Sequence, residues 1–500
     1  MPATSLPMHN ACKNASPLGK IGEVQTAIET EHKYDVPAGF ELPSLIGAAD
    51  VTSADDAHTF DLDATYFDTD DLRLARNKRT LRRRTGGSDA GWHLKTPGDG
   101  SSRTEHRLPP DGEAVPEQLQ AEVRAIVRER PLRPVARLRT HRVETPLRDA
   151  NGRTLALVAQ DQVTAETDDS EQRWQEVEVE LVDGDPRLLK AVERKLLAAG
   201  AALATGPSKL VRALGDRLPA PKTTQDEINP VLAYAREQRD AISAYDPGVR
   251  HGDPESVHKM RVGTRRLRST LKTFKRSFAP ELARRVGPEL RWLAQQLGEV
   301  RDGQVLSHKL LAAVEPEGAE FAPVAERIRE HLDAKVARGR EALAEVLDGR
   351  RYLNLLDAID ELVDAPDTVE SNPLRRSRKA LRKADDLLDK AVTDGVDTEL
   401  HEARKAYKRA RYAVEVFEPS VGKSAKKLTK ALTNLQDVLG AHQDSVVARE
   451  ILRDLARSAD DAFPYGVLHA RQEQVGRDTL GDLPMAVKAA GKRKLRSWLA

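Results

Sequence analysis

The hydrophobic period changes once along this chain, and that change limits what the chain can fold into. From Thr26 to about Leu218 apolar and polar residues alternate at a period of mostly two; from residue 231 onward apolar residues recur at a helical period. Alternation belongs to strands with two distinct faces, and a period of 3.6 to helices with one apolar stripe. A single layer cannot satisfy both, so the chain reads as a multidomain α and β protein: a β domain over 26–218, then an all-α domain over 231–500. The break falls on PAPKTTQDEINP, 219–230, whose Pro, Thr and Asp content is that of a linker. Residues 1–25, rich in Ser, Pro, Asn and Gly, read as a flexible tail.

Within the β domain the alternation segregates charge. AIETEHKYDV puts Glu29, Glu31 and Lys33 on one strand face. TLRRRTGG puts Arg82 and Arg84 on one face and stops at Gly86-Gly87; GWHLKTPG, carrying Lys95, is its expected hairpin partner. VARLRTHRVETPL places Arg137, Arg139 and His141 on one parity and Arg142 on the other. RWQEVEVELVD aligns Glu176, Glu178 and Glu180, and helices are expected at 116–129 and 186–200. A charged strand face is ordinary where a sheet has a wet side. If instead these faces line a closed barrel, carboxylates and cations share one lumen. Such a lumen suits a polyanion with its metal ions, cations holding phosphate oxygens and carboxylates holding Mg²⁺ or Mn²⁺.

The helical half carries a second charge pattern, and it is doubled. In VHKMRVGTRRLRSTLKTFKR (257–276), His258, Arg261, Arg265, Arg268 and Lys272 fall within roughly a quarter-turn of a helix, beside an apolar face. LHEARKAYKRARYAVEVF (400–417) repeats the offsets with His401, Arg404, Lys408 and Arg411. One such helix is an ordinary solvated face; two copies in register point to a shared, extended anion. The repeat continues downstream, Leu297-Gly298 aligning with Leu439-Gly440 and Asp302 with Asp444. Helices are expected at 280–299, 302–313, 422–440 and 443–458, each Asp capping the second helix of its pair. One break in the repeat is visible: the position of Lys272 is Glu415 in the second copy.

Composition excludes several classes. The 80 basic and 79 acidic residues nearly cancel, so an anion-binding surface needs spatial segregation of charge. Cys12 is the single cysteine, which rules out an internal disulfide and fits a reducing compartment. The N-terminal stretch has no signal-peptide core, and no run of about 18 apolar residues occurs. The expectation is a soluble, cytoplasmic protein with no membrane partner. Aromatics are 4% of the chain, against a base-stacking single-strand binder.

In this order Glu29-x-Glu31-x-Lys33, YFDTDDLRL, LRRR, GWHLKTP and EVEVEL resemble the CYTH family of triphosphate tunnel metalloenzymes. The resemblance implies an eight-stranded antiparallel barrel, open at both ends, acting on triphosphate compounds. It implies Glu29 and Glu31 as metal ligands and, with Lys33, as the catalytic set. Arg82, Arg84, Lys95, Arg139, Arg142 and Lys209 would hold substrate, and Asp161, Glu178 and Glu180 would complete the metal side. Arg139 and Arg142 fit the family's later basic strand together only if a bulge intervenes.

HKMRVGTRRLRSTL, LGEVRD, HEARKAYKRARYAVE and LGAHQD are similar to the CHAD family, the conserved histidine α-helical domain. That resemblance implies two pseudo-symmetric helical bundles around a basic groove for inorganic polyphosphate. Its lining would be His258, Arg261, Arg265, Arg266, Arg268 and Lys272 with His401, Arg404, Lys405, Lys408, Arg409 and Arg411. The histidines, lacking a ligand partner at metal spacing, would hydrogen-bond or contact phosphate. The expected activity is metal-dependent hydrolysis of inorganic triphosphate or short polyphosphate, with Mg²⁺ or Mn²⁺. The helical domain would hold polyphosphate and associate the protein with polyphosphate granules. The alternatives are a non-catalytic polyphosphate binder and a nucleic-acid binder, the latter disfavoured by the scarcity of aromatics.

Overall fold

The computed structural model describes residues 24–98, 102–204, 206, 208–218, 229–365 and 372–499. Most of the expected tail with Cys12, and positions 219–228 of the expected linker, lie outside the described residues. Asn229 and Pro230 were counted with the linker but start a helix: the Asn229 side chain accepts from the Val231 and Leu232 N–H groups, capping Pro230–Ala244. The chain divides into two compact units, Met1–Ala220 and Pro221–Ala500.

The first unit is one antiparallel sheet. Its strands are β1 (Gln25–Glu29), β2 (Glu31–Val36), β3 (Ser53–Ala54), β4 (His58–Asp68), β5 (Thr80–Thr85) and β6 (Gly91–Pro97). They continue as β7 (Arg103–Leu108), β8 (Arg133–Arg148), β9 (Thr154–Glu166), β10 (Glu171–Leu181) and β11 (Ala202–Leu203). They pair in the order β1-β7-β6-β5-β4-β8-β9-β10-β2-β11, with β3 on β8. The two ends of this path meet, because only Thr30 separates β1 from β2, and the Leu181 N–H donates to the Thr30 carbonyl at 3.0 Å. The sheet therefore curls round until one broken strand serves both edges, leaving no long free edge. The strand count is eleven, not eight. The excess is the break at Thr30 and the two-residue strands β3 and β11.

Why the inside stays polar follows from what covers the outside. Tyr34, Val158, Val177 and Val179 face outward into a cluster with Leu188, Val192 and Leu196 of helix Arg187–Ala198. Leu81, Trp92 and Leu94 pack outward on Leu119, Val123 and Ile126 of helix Glu117–Val127. Each such side chain contributes about 1.5–3 kcal/mol by leaving water. With the apolar parity spent outside, the charged parity must point in. The β5–β6 hairpin turns where expected: Gly86 has φ +79°, and a Cβ there would lie 2.0 Å from the Asp61 carbonyl oxygen.

One end of the lumen is apolar and covered. Ala64, Leu138, Val163, Ala165 and Trp174 share a buried cluster with Leu210, Ala213 and Leu214 of helix Lys209–Leu214. Ser208 caps that helix by accepting from the Val211 N–H at 3.2 Å. The expectation of a tunnel open at both ends is corrected here: a plug helix sits against one end.

The second unit is helical. The first basic helix (Pro254–Thr273) packs on a long helix, Pro280–Val314, through the buried Val257, Met260 and Leu267 and the buried Leu290, Leu293 and Leu297. The second basic helix (Asp397–Glu415) packs on the other long helix, Lys423–Ala456, around Ala403, Ala410, Leu432 and Leu435. The far ends of the long helices share a further cluster, Leu310 and Val314 with Leu452 and Leu455. Two expectations fail. Residues 280–314 are one helix, as are 423–456, so Asp302 and Asp444 stand inside helices and cap nothing. Within these helices glycine serves close approach. A Cβ on Gly303 would lie 2.8 Å from Val336 of the neighbouring helix Ala322–Asp348. No helix among the described residues is long and apolar enough to cross a membrane.

Candidate functional site

The lumen is built by register. Directly opposed residues share a face, and the pairs Glu31–Glu180, Lys33–Glu178, Asp161–Arg142, Arg82–Tyr66 and Lys95–Glu105 are all directly opposed. Glu29, Glu31, Lys33, Arg82, Arg84, Lys95, Arg142, Asp161, Glu178 and Glu180 thus gather from strands far apart in the chain.

Their contacts divide the lumen. On one side Arg142 donates to Asp161 at 2.8 and 2.7 Å and to Glu178 at 2.7 Å. Lys209, from the plug helix, reaches the carboxylates of Asp161, Glu176 and Glu178 at 2.9, 2.7 and 2.6 Å. Lys33 also pairs with Glu178 and lies 3.2 Å from Glu31. On the other side Glu29 is buried against Lys95 and, at 3.1 Å, Arg107. Arg82 donates to the Tyr66 hydroxyl at 3.3 Å, and Arg84 pairs with Asp89.

In two groups burial works strongly against the charged form. Arg84 is pushed down to about 9 by burial, with Arg82 and Arg142 adding repulsion. Glu180 is pushed up to about 7 by burial, with Glu29, Glu31 and Glu178 adding to the rise. The lumen therefore holds one guanidinium and one carboxylate whose charged forms burial disfavours, among cations and carboxylates that are otherwise paired.

Arg139 does not belong to it. No register shift separates Arg139 from Arg142, so the two point to opposite faces. Arg139 lies outside, half-exposed and paired with Glu166. Sequence reading also missed members. Glu105 is buried, takes His93 Nδ1 at 3.0 Å and Lys95 at 3.7 Å, and pairs with Arg107. The signal was present in RTEHRL, where Arg103, Glu105 and Arg107 alternate like Glu29, Glu31 and Lys33. Glu176 was grouped with its neighbours but given no role; in the structure it takes Lys209 and a 2.6 Å bond from the Trp174 indole N–H.

In the helical unit the two basic helices face each other. Lys408 is pushed down to about 7 by burial, then by Arg265, Arg404, Arg261 and Arg411. Burial and the same neighbours hold Arg265 below its ordinary value, and burial with Arg291 and Arg409 holds Arg268 down. Lys272 is lowered first by Arg409 and then by burial. Burial and nearby cations depress both His258 and His401. The repeat has a structural counterpart: the guanidinium of Arg261 lies 3.6 Å from where a Gly298 Cβ would stand, and that of Arg404 3.6 Å from a Gly440 Cβ. Asp302 accepts from Arg261 at 2.9 Å, whereas Asp444 pairs with Lys309.

Not every expected groove residue is available to an anion. Glu415 is buried, takes Arg266 at 3.0 Å, pairs with Arg411, and accepts from the Tyr234 hydroxyl at 2.8 Å. The break in the repeat is thus an internal counter-ion that pins three helices. Lys405 sits on the exposed side, 2.8 Å from Glu402.

The sequence model of the CYTH domain matches residues 27–213, and that of the CHAD domain matches 233–453. The chain belongs to the CYTH and CHAD families, one domain of each. An uncharacterized protein of Mycobacterium tuberculosis, present in two strains, is 38% identical over 510 residues, covering 94% of this chain and 98% of its own. Among solved structures, PptA from Streptomyces chartreusis aligns with 52% of this chain and 98% of its own, at 19% identity and TM-score 0.45. The CHAD domain from the plant Ricinus communis aligns at 28% identity and TM-score 0.38, covering 54% of this chain and 90% of its own. HpAC1 from Hippeastrum, described as a putative adenylyl cyclase with a dominant triphosphatase activity, covers 37% of this chain and 94% of its own, at 19% identity and TM-score 0.22.

CYTH domains are metal-dependent, and two places in this one bear on a cation. Carboxylate oxygens of Asp161, Glu176 and Glu178 lie within 4.8 Å of one another, and the Lys209 ammonium pairs with all three, with Arg142 and Lys33 beside it. The Glu31–Glu180 side is different. Glu180 has no hydrogen bond or ion pair among the described residues, and burial first, then Glu29, Glu31 and Glu178, raises its proton affinity. Oxygen-only donors fit a hard divalent cation.

In the CHAD domain, Glu415→Ala is expected to cost about 3–5 kcal/mol, because it leaves Arg266 and Arg411 half-buried without their counter-ion. The measurement is the urea midpoint of the helical transition. Glu415→Gln, which keeps the shape and one accepting oxygen but sets its amide N–H2 against a donor on the other side, is expected to lose less than the alanine variant.

Proposed function

We propose that the CYTH domain hydrolyses inorganic triphosphate or short polyphosphate with Mg²⁺ or Mn²⁺, and that the CHAD domain holds inorganic polyphosphate. The single observation that carries this is one lumen that gathers Glu29, Glu31 and Glu180 with Arg82, Arg84, Lys95 and Arg142, in which burial works against the charged forms of both Arg84, down to about 9, and Glu180, up to about 7. A bare polyanion relieves the first and aggravates the second. A bare cation does the reverse. A metal–phosphate complex relieves both.

Glu29, Glu31 and Glu180 would hold the metal, and Arg82, Arg84, Lys95 and Arg142 the phosphate oxygens. The bound metal supplies charge neutralisation and a more acidic water. The chain itself contributes position and fixed charge: guanidinium groups already placed and desolvated cost no reorganisation when charge shifts onto the leaving phosphate. Water attacks the terminal phosphorus, the bridging P–O bond breaks, and phosphate and pyrophosphate leave. Hydrolysis needs no covalent intermediate here, and Arg139, on the outer face, has no part in it. In the CHAD domain, two rows of mutually repelling cations support the polyphosphate reading. The setting is a cytoplasmic one, at polyphosphate granules.

The test is phosphate release from inorganic triphosphate, with and without Mg²⁺, by the full chain and Glu31→Ala. A loss of about 10²-fold or more is expected both on metal removal and on substitution. A wild type no faster than Glu31→Ala sinks the hydrolase reading and leaves a binding protein.

A further inference from the structure

The CHAD repeat is broken at one more place. A cavity of about 650 Å³ lies where the end of the first basic helix and the turn after it meet the start of the long helix Pro280–Val314. That volume is typical of a small-molecule site. Its floor is apolar, from Leu271, Phe278, Pro280 and Ala283, and its rim is basic, including Arg268, Lys272 and Lys275. No carboxylate is among its lining residues. Arg268 and Lys272 are also members of the basic row, each repelled by Arg409 of the second basic helix. The cavity therefore adjoins the groove at that end.

The second copy lacks this rim. By the repeat offset, Lys272 and Lys275 correspond to Glu415 and Glu418. Glu415 is committed to Arg266 and Arg411. A chain of identical phosphates asks only for cations, and both copies supply them. An apolar floor under a cationic rim asks for a phosphate joined to something that is not phosphate.

We propose that this cavity binds a nucleoside triphosphate, its phosphates on Arg268, Lys272 and Lys275 and its base on the floor at Leu271, Pro280 and Ala283. A planar base suits the site better than an acyl chain, because two further guanidinium groups line it, Arg276 and Arg284, and guanidinium stacks on a π face but gains nothing from an alkyl chain. The proposal rests on the groove reading only through Arg268 and Lys272.

The experiment is photo-crosslinking of the full chain with 8-azido-ATP and peptide mapping, with ATP affinity measured by calorimetry. Two variants accompany it. Ala283→Leu fills the floor with a good helix former, and Lys275→Glu copies the second repeat. Labelling within 268–287 is expected in the wild type, with ATP binding there weaker by about tenfold or more in both variants, a loss near 1.4 kcal/mol. Long polyphosphate is expected to bind Ala283→Leu within about twofold of wild type. Labelling confined to the tunnel strands would overturn the proposal. So would undiminished labelling of Ala283→Leu with an unchanged melting temperature, or equal protection by ATP and inorganic triphosphate. Binding of phosphatidylglycerol vesicles that Ala283→Leu abolishes, without ATP labelling, would assign the cavity to lipid and overturn it as well. Failure of the groove reading shows separately, as wild type that labels with azido-ATP but does not bind long polyphosphate.

Discussion

Arg84→Met is expected to lower kcat/KM for inorganic triphosphate by about 10²–10³-fold, the usual effect of deleting one preorganised charge donor. Arg139→Met, three residues from Arg142 in the chain but on the outer face, is expected to stay within about twofold. Methionine keeps the length of the stem, so packing is nearly preserved while charge is lost. Arg84 is the sharper choice because burial, Arg82 and Arg142 all act against its charge and outweigh Asp89 and Glu105, which favour it. A group held in an unfavourable charged state is poised to gain from an arriving anion. Steady-state phosphate release at fixed Mg²⁺ measures both variants. Equal losses at positions 84 and 139 would mean that the lumen is not where triphosphate reacts.

Lys408→Met is expected to weaken binding of long polyphosphate by about 10–100-fold, the equivalent of one charge-assisted contact of about 1.5–3 kcal/mol. The same substitution is expected to raise the melting temperature of the ligand-free helical domain, by about 2–4 °C for each kcal/mol gained. Both effects have one cause. Lys408 is half-buried among Arg265, Arg404, Arg261 and Arg411, which hold its ammonium down to about 7. The folded value lies below the unfolded one, so the unfolded chain binds more protons between the two. Stability then rises with pH through that window, and the charged form is the destabilising one below it. Binding has the opposite sign. Phosphate favours the ammonium, so wild-type affinity is expected to fall as pH rises above 7, by up to about tenfold per unit. That slope is expected to vanish in Lys408→Met. Calorimetric titration at pH 6 and pH 8.5, at one salt concentration, reads it. Tighter binding of duplex DNA than of polyphosphate at matched salt would overturn the choice of ligand.

Much of this was legible in the chain because alternation is local. A side chain's parity follows from the extended backbone, so Glu29 with Glu31, Arg82 with Arg84, and Arg139 against Arg142 could be sorted without knowing any neighbour. The helical offset likewise put the two basic rows in register. The same signal is present in RTEHRL, where Arg103, Glu105 and Arg107 alternate on one parity. The expected helix breaks before Asp302 and Asp444 do not occur: Gly298 and Gly440 each lie under a guanidinium in an unbroken helix.

The sequence by itself determined the two domains, their families and which face of each element carries charge, because these depend on backbone period and side-chain type alone. Tertiary structure decided which charges remain available. Lys209 is committed to Asp161, Glu176 and Glu178, and Glu415 to Arg266, Arg411 and Tyr234, whereas burial works against the charged forms of Arg84, Glu180 and Lys408. Compensation is a matter of a few ångströms between residues far apart in the chain, and burial multiplies its worth by removing water. No periodicity encodes that distance; only the closed sheet and the paired helices set it.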